Sequence, residues 1–204
     1  MGQRQDALKS IALKKFKEHR HDKISIQELE KSNYYDTVLA TYKSLGGQSK
    51  ILPIKYGPWD ISTTDFIIEF DEERHFNRYR LQTLNTNLYL DNSINFSVNG
   101  YKNYCEEFEN ECTRAASWGK NWKNDSTEKM FITSGNEGDL TKNGSSRWRQ
   151  RAYYDFMKDI TSIVCGIPLY RVSIYDTFQN QTISKLLDSN NVKLITEFLD
   201  RIVK

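Results

Sequence analysis

Apolar residues recur every three or four positions through the first 46 residues, which is the spacing of amphipathic helices. The first predicted helix occupies residues 1–23, where seven Lys and Arg residues surround an apolar stripe. That stripe consists of Leu8, Ile11, Ala12 and Phe16. The second helix is predicted to begin at Ser25, because a serine followed three residues later by Glu28 is a capping-box pattern. It ends at the glycine pair Gly46-Gly47.

The hydrophobic period changes after these glycines, from helical spacing to short apolar runs. Three such runs lie at residues 51–54, 59–61 and 66–70, divided by Gly57-Pro58 and by a polar segment. Runs of this length bounded by turn residues predict a meander of three strands. Helical spacing resumes over residues 74–84, so the predicted order is helix, three strands, helix.

Residues 85–145 are predicted to form a largely irregular insertion, because Asn, Gly, Ser and Thr dominate them outside one helix at about 101–117. A helix over residues 147–164 and a strand over 169–175 follow, both with clear apolar stripes. The C-terminal segment, residues 177–204, is predicted to contain one or two amphipathic helices. The fold class expected from this order is α/β.

Composition narrows the picture. A chain of 204 residues with 38% hydrophobic residues can bury a core, so we expect one folded domain over residues 1–204. No run approaches the roughly 18 apolar residues that cross a bilayer, and the start lacks the apolar segment of a secretory signal. We therefore expect a cytoplasmic protein with no membrane partner. The net charge of +2 is too small to indicate nucleic acid by itself.

Cysteine usage excludes two common small-protein frameworks. Cys105, Cys112 and Cys165 are few, odd in number and not spaced as C-x-x-C pairs. Such a set predicts neither a disulfide framework nor a zinc knuckle, and it agrees with a reducing compartment. Cys105 and Cys112 lie seven residues apart on an apolar stripe, which favours buried packing.

Three carboxylates are predicted to share one face of a strand pair. If residues 66–71 form a strand, Glu69 and Asp71 point to the same side because side chains alternate along a strand. A two- or four-residue turn would place Asp60 opposite Ile67, on that side and diagonal to Glu69. A three-residue turn would send Asp60 to the other face.

Such a cluster predicts a metal site. Repulsion among Asp60, Glu69 and Asp71 is relieved by a hard cation, and Mg²⁺ or Mn²⁺ prefers oxygen ligands. A bound ion of this kind lowers the pKa of a coordinated water and neutralises charge on a phosphoryl group. His75, a few residues further on, is a candidate to take the proton from that water. The predicted catalytic set is therefore Asp60, Glu69, Asp71 and His75.

Each of these acidic and basic residues also has a structural explanation. Glu72 and Glu73 precede a predicted helix, where first-turn carboxylates interact favourably with the helix dipole. Asp60 follows Gly-Pro-Trp, a context in which aspartate often serves a turn. A histidine near a helix start, such as His75, is commonly structural or exposed.

The order Asp60, Glu69-x-Asp71, His75 resembles the PD-(D/E)XK nuclease superfamily. It is most similar to the very-short-patch-repair endonucleases and related small nuclease domains, whose hallmark is an upstream Asp followed by Glu-x-Asp-Gly-x-x-His. The resemblance covers residues 26–84 and 146–176. It implies a restriction-endonuclease-like core, with a central mixed sheet flanked by helices in the order αβββα-αβ. It also implies that Asp60, Glu69 and Asp71 bind metal and that His75 helps to activate water.

Two positions depart from this pattern. The superfamily's lysine two positions after Glu69 is replaced by Asp71, and the narrower family's glycine is Glu72. Either catalysis has been lost or another residue supplies the positive charge of the missing lysine. The alternatives are Lys55, Arg78, a residue of the helix over 147–164, or His75 making the lysine unnecessary.

Cations near the carboxylates and on the later helix are candidates for nucleic-acid contacts. The predicted contact residues are Arg78, Lys120, Lys123, Arg147, Arg149 and Arg151. The segment 118–123 interleaves cations with tryptophans and amides, a combination suited to phosphate contact and base stacking. A solvated helix face or ordinary loop packing is the alternative for each feature.

The leading functional prediction is a Mg²⁺- or Mn²⁺-dependent endonuclease that hydrolyses DNA, of restriction or other DNA-processing type. A homodimer is expected if the target is a palindrome. The alternative is a non-catalytic nucleic-acid-binding or assembly module on a nuclease-like scaffold, which the missing lysine favours. A protein-interaction domain that uses the C-terminal helices is the third hypothesis.

Overall fold

The computed structural model describes residues 2–90, 94–116 and 122–203, and the chain divides into two compact units. The first unit comprises Met1–Lys23, Pro58–Glu72 and Ile167–Lys204. The second comprises Ile24–Gly57 and Glu73–Gly166. Across the described ranges, none of the helices combines the length and apolar composition that crossing a membrane requires.

A three-stranded mixed sheet forms the centre of the first unit. Strand β1 (Ile61–Ser62) pairs antiparallel with β2 (Ile67–Asp71), and β2 pairs in parallel with β3 (Leu169–Ser173). The chain between β2 and β3 is long, as a parallel pair requires. A separate hairpin consists of β4 (Thr177–Phe178) and β5 (Gln181–Thr182). The protein is therefore of the α/β class with a small mixed sheet.

The hydrophobic core of the first unit lies on one face of this sheet. Helices α1 (Gln3–Ala12), α9 (Ile183–Asp188) and α10 (Val192–Ile202) supply its other side. Its buried members include Leu8, Ile11, Ile61, Ile68, Phe70, Val172, Ile174, Leu186, Ile195 and Phe198. Because alternate residues of a strand point to opposite faces, Ile67, Glu69 and Asp71 lie on the face away from this core.

The predicted first helix ends earlier than residue 23. After α1, the segment 17–19 runs along the outer edge of β1, where His19 N donates to Ser62 O at 3.0 Å and Thr64 N donates to Lys17 O at 3.1 Å. This segment satisfies backbone groups that a two-residue edge strand would otherwise leave to solvent.

The described residues of the second unit contain helices and no strands. These helices are α2 (Ile26–Lys31), α3 (Tyr35–Ser44), α4 (Arg78–Leu84), α5 (Val98–Glu107), α6 (Glu109–Ala116), α7 (Asp125–Met130) and α8 (Ser146–Cys165), with short 3₁₀ turns at Glu73–His75 and Asn87–Leu90. The longest, α8, buries Trp148 against Trp122 and Tyr153 against Tyr42. Gly166 ends it with a left-handed φ of +66°, the usual glycine stop.

The capping box predicted at Ser25 is confirmed. Its hydroxyl accepts a hydrogen bond from Glu28 N at 3.2 Å, and Glu28 Oε2 accepts one from Ser25 N at 2.7 Å. The single helix predicted from this cap to Gly46 is wrong, because α2 ends at Lys31 and α3 begins at Tyr35.

The predicted strand at residues 51–54 is also wrong. Pro53 has no backbone N–H to give to a sheet, and its carbonyl accepts a hydrogen bond from Tyr153 Oη at 2.8 Å. Ile51 is 83% exposed. The meander therefore has two strands rather than three.

Within residues 85–145, α5 and α6 correspond to the helix predicted at 101–117, whereas α7 is a helix that the prediction of a largely irregular insertion did not include. The helix predicted at 101–117 is divided at Phe108, which follows the last residue of α5. Ser97 and Asn124 cap the starts of α5 and α7 through side-chain oxygens. Polar residues of this kind are typical of loops and helix caps alike, so composition alone did not distinguish the two.

Candidate active site

Asp60 and Glu69 lie across from each other at one end of the antiparallel strand pair. Strands β1 and β2 pair so that Ile61 faces Ile68, and the next positions outward are Asp60 and Glu69. The turn is centred one residue later than predicted, so the residue opposite Asp60 is Glu69 rather than Ile67. The parity is unchanged, and both acidic positions belong to the same face of the pair.

Reciprocal hydrogen bonds fix the two carboxylates to each other's strand. Asp60 Oδ2 accepts from Phe70 N at 2.9 Å, while Glu69 Oε1 accepts from Asp60 N at 3.2 Å. The second oxygen of Asp60 accepts from Gln5 Nε2 at 2.6 Å. Glu69 is 1% exposed, whereas Asp60 is half-buried. The aspartate is therefore the solvent-facing member of a preorganised pair.

The third predicted ligand, Asp71, forms a buried ion pair. Arg171 Nη1 lies 3.0 Å from Oδ1 and 2.8 Å from Oδ2 of Asp71. Arg171 stands beside Glu69 in the β2–β3 register, so its guanidinium belongs to the same face as the acidic residues. The arginine adds a fixed positive charge to the face.

The donor set of Asp60 and Glu69 fits a hard divalent cation. Carboxylate oxygens are the ligands that Mg²⁺ and Mn²⁺ prefer, and each oxygen has two lone pairs. Asp71 differs, because its charge is balanced by the buried guanidinium of Arg171. Of the three predicted carboxylate ligands, Asp71 is therefore the least suited to a metal.

His75 belongs to the second unit, where both ring nitrogens have polar neighbours. Nδ1 lies 2.8 Å from Asp155 Oδ2, and Nε2 lies 3.0 Å from Arg151 Nη1. Since a guanidinium only donates, Nε2 must accept, and Nδ1–H then donates to Asp155. Burial lowers the pKa of Arg151 below its ordinary value. A neutral ring with an acceptor at Nε2 is the form that a general base needs, and Arg151 occupies that acceptor.

The cations predicted to bind nucleic acid have different surroundings. Arg149 is buried, donates to Leu45 O and Asn143 O, and stacks 4.5 Å from the Tyr79 ring centroid, so its contacts are structural. Arg78 is exposed but forms a two-point ion pair with Glu109.

Two of the remaining predicted cations stay accessible. Lys123 is exposed and Arg147 is half-buried at the start of α8. Lys120 lies outside the described residues, as does most of the tryptophan-containing segment 118–123. These cations stay predictions for nucleic-acid contact.

The chain matches a family of unknown function, DUF7255, over residues 40–190. Since the match covers more than half of the sequence, the chain belongs to that family. No curated protein and no solved structure matches it.

Sequence reasoning missed Arg171, Gln5 and Asp155 as partners of the predicted site. Arg171 offered one signal, since a charged residue within an otherwise apolar strand is buried only when it is paired. Gln5 and Asp155 offered no local signal, because each is more than 50 residues from the group it contacts.

Proposed function

We propose that this protein is a divergent metal-dependent nuclease of the PD-(D/E)XK type that hydrolyses DNA, with Asp60 and Glu69 as its metal ligands. The observation that carries the proposal is the reciprocal hydrogen bonding that holds these carboxylates together across two strands. The strand order also agrees: an antiparallel pair bears the acids, and a long helix precedes a strand parallel to the second. The first strand of the αβββα-αβ core is missing.

Each residue of this face has a proposed task. A Mg²⁺ or Mn²⁺ ion held by Asp60 and Glu69 would supply an activated water and neutralise phosphoryl charge. Gln5 and Phe70 N orient the aspartate, so its position is set before substrate arrives. Arg171 is the residue proposed to stand in for the superfamily's lysine, with its charge balanced by Asp71.

His75 lies in the second unit and stays a prediction as the group that accepts a proton from water, with Asp155 fixing its tautomer. This task requires Arg151 to leave Nε2, because one lone pair cannot serve both a guanidinium and a water proton. A DNA phosphate competing for the guanidinium would release it.

Nicking of supercoiled plasmid tests the proposal directly. Purified protein with Mg²⁺ or Mn²⁺ should nick or cut the DNA, and EDTA should stop the reaction. Asp60→Asn and Glu69→Gln preserve shape while removing charge, and each should lower the rate at least about 100-fold, the size of effect that loss of one electrostatic contributor produces.

Asp65→Asn is the matched control. Asp65 is an exposed acid in the turn of the same hairpin, bonded to Thr64 Oγ1 at 2.9 Å. It should keep full activity. Full activity in Asp60→Asn and Glu69→Gln would remove both residues from the mechanism, and cleavage unaffected by EDTA would remove the metal.

The burial of the strand face that carries Glu69 and Asp71 favours a second candidate function, which is non-catalytic. Glu69 and Asp71 are each 1% exposed, and Asp71 is neutralised by Arg171. Buried, paired charges are also what a purely structural network shows. A non-catalytic nucleic-acid-binding module would bind DNA in a salt-dependent way without cutting it, and Asp60→Asn would leave that binding unchanged.

A further inference from the structure

A basic pocket of about 520 Å³ lies in the first unit, beside the segment that carries Asp60. That volume falls in the range of sites that bind small molecules, roughly 300–1,000 Å³. The proposed hydrolysis does not use it. Its lining includes Lys9, His19, Arg20, His21, Lys23 and Trp59.

The pocket is organised by the segment that runs along β1. His21 Nε2 lies 2.7 Å from Thr63 O, and the rings of His19 and His21 meet edge to face at 4.8 Å. Lys9 forms a 3.0 Å ion pair with Glu18, the one acidic residue among the lining groups. The excess charge of the wall is therefore positive, supplied by arginine and lysine side chains.

Ser62 gives the pocket a buried hydroxyl. Its Oγ is removed from solvent and has no hydrogen-bond partner among the described residues, although Ser62 lines the pocket. Buried hydroxyls in native proteins are normally hydrogen-bonded, because an unpaired one loses its hydration without compensation. A ligand oxygen in the pocket would satisfy it.

Cations beside an indole define the ligand chemistry. Arginine and lysine bind phosphate, and an aromatic face can stack on any nucleobase. We propose that this pocket binds a single-stranded segment of DNA, with a base against Trp59 and a phosphate held by Arg20 and its neighbouring cations.

The assignment deepens the proposed nuclease function, on which it rests for the choice of nucleic acid as ligand. Trp59 is the residue immediately before Asp60, so a strand bound here enters the molecule next to the proposed metal ligand. Binding can be measured with EDTA present, when no hydrolysis occurs. Loss of cleavage and loss of strand binding are therefore separate results.

The test is fluorescence anisotropy of a labelled short oligothymidylate in EDTA at low salt. Trp59→Ala should weaken binding by roughly 5- to 150-fold, the effect of removing a stacking aromatic, and Trp59→Phe should restore most of it. Arg20→Ala should weaken binding and reduce the slope of log affinity against log salt by about 0.7, one phosphate contact on a single strand. Ser62→Ala should weaken binding several-fold.

Arg201→Ala is the charge-matched control, since Arg201 is an exposed arginine of the same unit outside the pocket. It should bind like the wild type. Equal losses in Arg20→Ala and Arg201→Ala, tighter binding of a duplex than of the single strand, or no binding by the wild type would each overturn the assignment. Because Arg20 is exposed, its substitution tests the pocket even if the Trp59 variants fold poorly.

Discussion

Arg171 and Asp71 form a fully buried ion pair between two parallel strands, with side chains 0% and 1% exposed. One guanidinium nitrogen contacts both carboxylate oxygens, at 3.0 Å and 2.8 Å. Removing one partner of such a pair leaves a buried charge without compensation. A substitution of either residue should therefore change both the stability of the sheet and the net charge of the candidate active site.

Arg171→Met should destabilise the protein by about 3–5 kcal/mol, because Asp71 would remain buried and charged. Urea unfolding followed by circular dichroism measures the change. The double variant Asp71→Leu with Arg171→Met should recover much of the loss, since both charges are then absent. An Arg171→Met variant as stable as the wild type would contradict a buried, charged pair.

His75 should be neutral with its proton on Nδ1. Arg151 can only donate to Nε2, so the proton must lie on the nitrogen that faces Asp155. Long-range ¹⁵N–¹H correlation spectra distinguish the two tautomers, and His75→Gln identifies the signal among the three histidines. A proton on Nε2 would contradict the assigned contacts.

Glu109→Gln should cost stability that depends on pH. Burial acts to raise the pKa of Glu109, but hydrogen bonds from Arg78 outweigh it, and the folded pKa is lowered. A lowered carboxyl pKa stabilises the fold above the unfolded value of about 4.3 and loses that contribution as the pH falls through the folded pKa.

Because the Arg78 side chain is nearly half exposed, the pair should contribute about 0.2–1 kcal/mol near neutral pH. Urea unfolding of Glu109→Gln and the wild type should show this difference at pH 7 and show it disappear in acid. The same difference at both ends of the range would contradict ionisation as its origin.

Only one of the three thiols should react quickly with a disulfide reagent in the folded protein. Burial raises the pKa of Cys112 to about 11 despite hydrogen bonds from Asn77 and Trp148, and Cys105 is also buried. Cys165 is exposed. Ellman's reagent should therefore titrate one thiol rapidly and all three in denaturant, and Cys165→Ser should abolish the rapid phase. Two rapid thiols would show that a buried site opens.

The best-predicted elements were those with strong local signals. Helix α8 has a continuous apolar stripe and a glycine stop at Gly166, and its predicted ends are within one residue of the observed ones. The shared face of Asp60 and Glu69 followed from strand alternation, which is correct for any turn of even length. The strand predicted at 51–54 had apolar residues but also Pro53, whose missing N–H argues against sheet pairing.

The contacts that define the site could not be predicted from local pattern. Asp71 and Arg171 are 100 residues apart, and His75 and Asp155 are 80 apart. Their pairing depends on how distant segments pack, for which periodicity gives no information. The division into two units could not be predicted from local pattern either, because the first unit consists of three separate stretches of sequence.

Anomalous diffraction from crystals grown with Mn²⁺ tests the central proposal most directly. If Asp60 and Glu69 are metal ligands, an anomalous peak should lie within coordinating distance of both carboxylates. The peak should be absent from crystals of Asp60→Asn. The proposed metal centre would be contradicted if the wild-type protein cleaves DNA but its crystals show no Mn²⁺ peak beside Asp60 and Glu69, or show the peak elsewhere.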